Sequence, residues 1–130
     1  MNPGRDKTDM TTTTTVVLES ITYGQASGNY DGSSQLFYSN AMPAANYYNG
    51  NGSIQTLFYN LDSFVGTVTV QATLNDLPEQ AQWIDISERG DGITPDTGYT
   101  SSTVTGNFSW VRACVTNFEG GTIQSVTIVY

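Results

Sequence analysis

Carboxylates are almost the only side chains in this sequence equipped for chemistry. Pairs such as Asp85 with Glu88, or Asp91 with Asp96, are the one catalytic option, since two carboxyls flanking a glycosidic bond can drive acid–base or nucleophilic hydrolysis. With 12 acidic residues in 130 such neighbours arise by chance, and a solvated loop acid is the simpler reading of each. Other catalysts are missing. The chain has no His, which removes imidazole bases, His proton switches and His-ligated metals. Its one Cys, Cys114, permits neither an intrachain disulfide nor a Cys-based zinc site. Asp91-Gly92 with Asp96, and Asp31 near Asn29, offer the oxygen ligands calcium takes, but neither stretch follows the ligand spacing of a calcium loop. We therefore expect no enzyme, no catalytic residue, no cofactor and no bound metal.

Binding rather than catalysis directs attention to the aromatic residues. Phe58, Phe64, Trp83, Phe108, Trp110 and Phe118 fall in or beside β-prone runs and are expected in the core, where each ring contributes on the order of 2–3 kcal/mol by burial. Tyr23, Tyr30, Tyr47, Tyr48 and Tyr99 are less clear. Adjacent strand residues point to opposite faces, so one of Tyr47 and Tyr48 should be exposed, as an interface anchor or a sugar-stacking platform. Tyr47, Tyr48, Tyr30 and Tyr99 are thus the candidate interface or ligand residues. Arg112 interrupts an apolar run and, if even half-buried, would need an acid such as Glu119 or Asp85. Cys114, in the same run, is expected to be an inert buried thiol.

The elements that must position these residues are strands. No segment has the i, i+3, i+4 apolar spacing of a long helix. Instead, β-prone runs cover 16–23, 35–38, 47–48, 53–60, 65–74, 82–86, 99–105, 107–116 and 122–130. In the fifth run Val68, Val70, Ala72 and Leu74 alternate with Thr67, Thr69, Gln71 and Thr73, which places one face on a core. Val126, Ile128 and Tyr130 alternate likewise with Ser125 and Thr127. Asp31-Gly32, Asn49-Gly50, Asp91-Gly92 and Gly120-Gly121 supply the positive φ angles of tight reversals. Eight or nine short strands so punctuated predict an all-β, jelly-roll-like antiparallel β-sandwich over 16–130. Stretches 24–34 and 87–98 read as long surface loops, the usual seat of recognition. Residues 1–15 read as a flexible N-terminal arm, either loosely attached throughout or ordering against a neighbouring subunit.

Charge narrows the partners. Four Lys and Arg against 12 acids give a net charge of −8, which argues against nucleic acid. The polar surface comes instead from 12 Ser, 19 Thr, 10 Asn and 7 Gln, a composition suited to lateral packing of β surfaces. Residues 1–10 show no secretory h-region, and no apolar run reaches the ~18 residues of a membrane span. A soluble protein made in the cytoplasm, with no membrane insertion, is expected.

The second half, about 45–130, resembles small β-sandwich domains of tailed-bacteriophage virions, of the marine and cyanobacterial phage type. The likeness is carried by Leu57-Phe58-Tyr59-Asn60-Leu61, the run Phe64 to Leu74, Trp83-Ile84, the run Gly106 to Ala113, and Phe118-Glu119-Gly120-Gly121-Thr122-Ile123. It implies a non-enzymatic virion component (head decoration, neck, tail or fibre) with other virion proteins as partners. The module brings no catalytic residues, and residues 1–15 depart from it. Unpaired sheet edges and few charges fit symmetric homo-oligomers, trimers or hexamers. The alternative expectation is a carbohydrate-binding module for cell-surface glycans.

Overall fold

The computed structural model describes residues 13–46 and 54–130. It is all-β and sandwich-like. Eight antiparallel strands form one hydrogen-bonded sheet. They are β1 (Thr14–Leu18), β2 (Ile21–Thr22), β3 (Phe37–Tyr38), β4 (Met42–Pro43), β5 (Ile54–Thr73), β6 (Ile84–Arg89), β7 (Asp96–Thr105) and β8 (Trp110–Val129). A single 3-10 turn, Pro78–Gln80, is the only helical element among the described residues. Tyr47 and Tyr48 lie outside them.

The sheet is organised by two long strands rather than many short ones. The expected runs 53–60 and 65–74 are one 20-residue strand, β5, and 107–116 and 122–130 largely merge into the 20-residue β8. What the sequence presents as turn residues between them are bulges. Ser63 and Asn117 adopt left-handed φ of 53° and 52°, and Gly121 one of 78°. The strands bend there without ending. Each half of β5 then collects its own neighbours: residues 54–64 pair with β7, and 68–72 with β6. β8 divides in the same way, with β3 and β4 on 110–115 and β1 and β2 on 122–129.

Burial alternation shows what the bend achieves. Before it, Gln55, Leu57, Tyr59 and Leu61 point inward; after it, Phe64, Gly66, Val68, Val70 and Ala72 do. The inward set moves from odd to even positions, so both halves of β5 face one core. β8 supplies Val111, Ala113 and Val115 from one half and Val126 and Ile128 from the other to the same apolar cluster. Leu74, expected to extend the inward row, is 64% exposed because β5 ends at Thr73. There the Asn75 amide donates to Thr73 Oγ1 and Asn75 Oδ1 accepts from the Gln82 amide, which turns the chain out of the sheet.

The corner is tight. A Cβ on Gly121 would overlap the Ser63 carbonyl, and one on Gly66 would lie 3.1 Å from the Thr116 oxygen. At the corner Phe118 packs against Tyr30, Phe37 and Phe64, at ring centroid distances of 5.1, 6.0 and 5.7 Å.

Candidate packing face and Arg112 clasp

Three rows of the outer face of the β1–β8–β5–β7 half carry no charge, and exposed Asp62, opposite Thr122, bounds them at the bend. The rows, read across the sheet in register, are Thr14–Val129–Thr56–Thr103, Val16–Thr127–Phe58–Ser101 and Ser125–Asn60–Tyr99. Alternation forces this arrangement, since each row intercalates between inward residues such as Leu57 and Tyr59. Phe58 at 42%, Val16 at 42%, Ile54 at 64% and Tyr99 at 76% exposure give it apolar relief. Hydroxyls fill the remainder, with Thr56 and Thr103 joined Oγ1 to Oγ1 at 3.1 Å. Strands about 4.8 Å apart and about 20 Å long give an area of roughly 400 Å².

β7 forms one border of this face and, among the described residues, pairs only with β5. From Thr97 to Thr105 it has no charge, no Pro and no bulge-prone Asn or Asp, leaving its outer edge without the usual protection of an edge strand.

The outer face of the other half is built differently. Arg112 on β8 is flanked by Tyr38 of β3 and by Trp83, just before β6, with Cζ 4.5 and 4.4 Å from the two ring centroids. Its Nε donates to Gln71 Oε1 at 2.8 Å, and Gln71 Nε2 donates to Asp85 Oδ1 at 2.9 Å. Neither Asp85 nor Glu119, the acids expected to neutralise this guanidinium, pairs with it; two aromatic rings and an amide hold it instead. Glu119 accepts from Gln35 Nε2 at 3.3 Å. Beside Arg112, Cys114 is buried, and burial pushes its thiol pKa up more than Tyr38 and the Arg112 charge pull it down. Cys114 lies on this outer side of the sheet, in register with Tyr38 and Thr69.

Several expected sites resolve otherwise. Tyr30, expected as an interface or ligand candidate, lies in the core instead: it is 1% exposed, packed at a tilt against Phe37 and Phe118, and its hydroxyl accepts from the Gly24 amide at 3.0 Å. Phe58, expected in the core, lies on the exposed face. Trp83 and Trp110 are only half-buried, with the Trp110 indole donating to the Asp76 carbonyl at 2.9 Å. Tyr99 is exposed on the charge-free rows.

Of the acids expected to flank a substrate, Asp85, Asp91 and Asp96 are held by partners within the protein. Asp96 pairs with Arg89, with Nε 2.9 Å from Oδ2 and Nη2 donating to Oδ1 at 3.2 Å. Asp91 accepts the amides of Ile93 and Thr94, which hold its carboxyl below the usual range. Stretch 87–98 is not one long loop: β6 and β7 run in the same direction along one edge of β5, and only a short connection over 90–95 joins them. A bulge between Val70 and Gln71 brings Asp85 and Glu88 to the same face in adjacent rows, with Asp85 tied to Gln71. Asp31 accepts the amides of Ser33 and Ser34 and the Ser34 hydroxyl, which lower its pKa to about 2. Among the described residues no three Cys, Asp or Glu side chains converge as a metal site would require. No helix there is long and apolar enough to cross a membrane.

Tyr38 and Trp83 are the site residues that the sequence reading missed as a pair. The signal available was Arg112 itself, a cation inside an apolar run that had to be met by something. Comparisons with protein-family models, curated proteins and solved structures give no match.

Proposed function

We propose that this chain is a non-catalytic structural component of a bacteriophage virion, packing laterally with copies of itself or with other virion proteins. The observation that carries the packing reading is the set of three uncharged rows spanning β1, β8, β5 and β7 on a chain of net charge −8. Elsewhere two copies repel; on these rows apolar side chains and hydroxyls meet with no charge to desolvate. The virion assignment rests on the sequence resemblance of residues 45–130.

Magnitude sets the style of association. A face of roughly 400 Å² is about half the ~800 Å² per partner of a standard interface, so one contact is weak. Repetition around a closed ring, or on a particle lattice, makes such contacts cumulative. Sedimentation of the purified chain over micromolar to millimolar concentration, together with its localisation in particle density, tests the reading. Concentration-dependent oligomers and a place in the particle support it; a monomer throughout, absent from particles, refutes it.

A further inference from the structure

We infer that the Arg112 clasp is a binding site for an acidic saccharide, a sugar carrying a carboxylate such as a uronate. The inference is independent of the packing face, which lies on the other half of the sheet. It starts from an imbalance. Among the described residues Arg89 has its carboxylate, whereas Arg112 contacts none, in a chain where acids outnumber cations threefold. Gln71 accounts for this: its amide oxygen takes the Arg112 Nε–H while its NH₂ takes Asp85, holding that acid one side chain away.

The guanidinium is thereby fixed without being consumed. Rings on two sides and one hydrogen bond at Nε set its plane, and among the described residues the Nη edge has no partner. A planar fork held in this way is suited to bidentate contact with a carboxylate, and the ordering cost of the long side chain is already met. Asp85 and Glu88 on the same face disfavour a doubly charged phosphate and leave a singly charged carboxylate as the matching anion. Asp85 keeps acceptor capacity beyond its bond to Gln71, which a sugar hydroxyl beside the carboxylate can use and a simple organic acid cannot. Half-exposed Tyr38 and Trp83 supply the aromatic rim that sugar C–H groups favour.

The test is an NMR titration of the full chain with trigalacturonate, galactotriose, acetate and hexaglutamate. The Trp83 indole reports on the site, and the Trp110 indole, bonded to Asp76, serves as an internal control. Trigalacturonate should shift Trp83 and the Arg112 Nε–H saturably and leave Trp110 in place. R112Q should weaken this at least tenfold, and R112K, which keeps the charge but not the fork, at least fivefold, both with unchanged amide dispersion. Galactotriose should not bind. Absence of a saturable shift with trigalacturonate overturns the proposal, as does unaltered affinity in R112Q. Equal affinity for acetate or hexaglutamate also overturns it, since the fork would then read any carboxylate. A null result leaves the sedimentation test of the packing face untouched.

Discussion

Gly121 of β8 lies directly against the backbone carbonyl of Ser63 in β5, where the two long strands bend together. With φ at 78° and no room for a Cβ, this position admits only glycine. Gly121→Ala should cost about 2–4 kcal/mol, combining left-handed strain with displacement of the β5 bulge. Gly120→Ala is the control: its Cβ would meet Val65 at 3.4 Å, and the loss should stay under about 1 kcal/mol. Denaturant midpoints of the two variants decide the matter.

Tyr30 provides a second stability test. Because its ring is enclosed by Phe37 and Phe118, Tyr30→Ala should lose about 3–5 kcal/mol, comparable to other buried aromatics. Tyr30→Phe, which keeps the ring and drops the bond from the Gly24 amide, should lose about 1 kcal/mol. Urea unfolding of both separates a core residue from a surface anchor, whose removal would leave the midpoint unchanged.

The Asp31 turn predicts a pH signature. Its carboxyl titrates near 2 when folded, below its ordinary 3.8, because the Ser33 and Ser34 amides and the Ser34 hydroxyl favour the ionised form. A depressed pKa stabilises above the unfolded value and is lost as pH falls through the folded one. Protection of the Ser33 and Ser34 amides should therefore persist from neutrality to about pH 4 and decline towards pH 2. Asp31→Asn should abolish that dependence. A carboxyl titration midpoint near 4 by NMR would contradict the geometry.

On the uncharged rows, the double variant Phe58→Glu, Tyr99→Glu should weaken self-association at least tenfold while shifting stability by less than about 1 kcal/mol. Sedimentation equilibrium beside a thermal melt separates the two effects.

Cys114 should alkylate slowly at pH 8 in the native protein and at the rate of an ordinary thiol once unfolded, since burial both shields it and disfavours the thiolate. Thiol quantification with and without denaturant checks this.

Strand class and much of the core were legible because alternation is local: Val68, Val70 and Ala72 announce their face, as do Val126 and Ile128. The merging of runs into β5 and β8 was not. Gly, Asn and Ser serve bulges and turns alike, and only the partner strand decides between them. Tyr30 sits amid Ser, Gly, Asn and Asp and reads as loop, yet Phe118, far along the chain, buries it. The clasp failed to appear for the same reason. Tyr38, Trp83 and Arg112 become neighbours only once β3 joins one side of β8, β5 joins the other, and β6 returns along the far edge of β5.

The parity switch in β5 has a further consequence. Substituting a bend residue perturbs one position, whereas deleting Ser63 would restore plain alternation between Leu61 and Phe64 and take away the extra residue that bulges and bends β5. Related chains should therefore tolerate varied residue types at this corner far more readily than any gain or loss of a single residue, with spacing inherited more strictly than spelling.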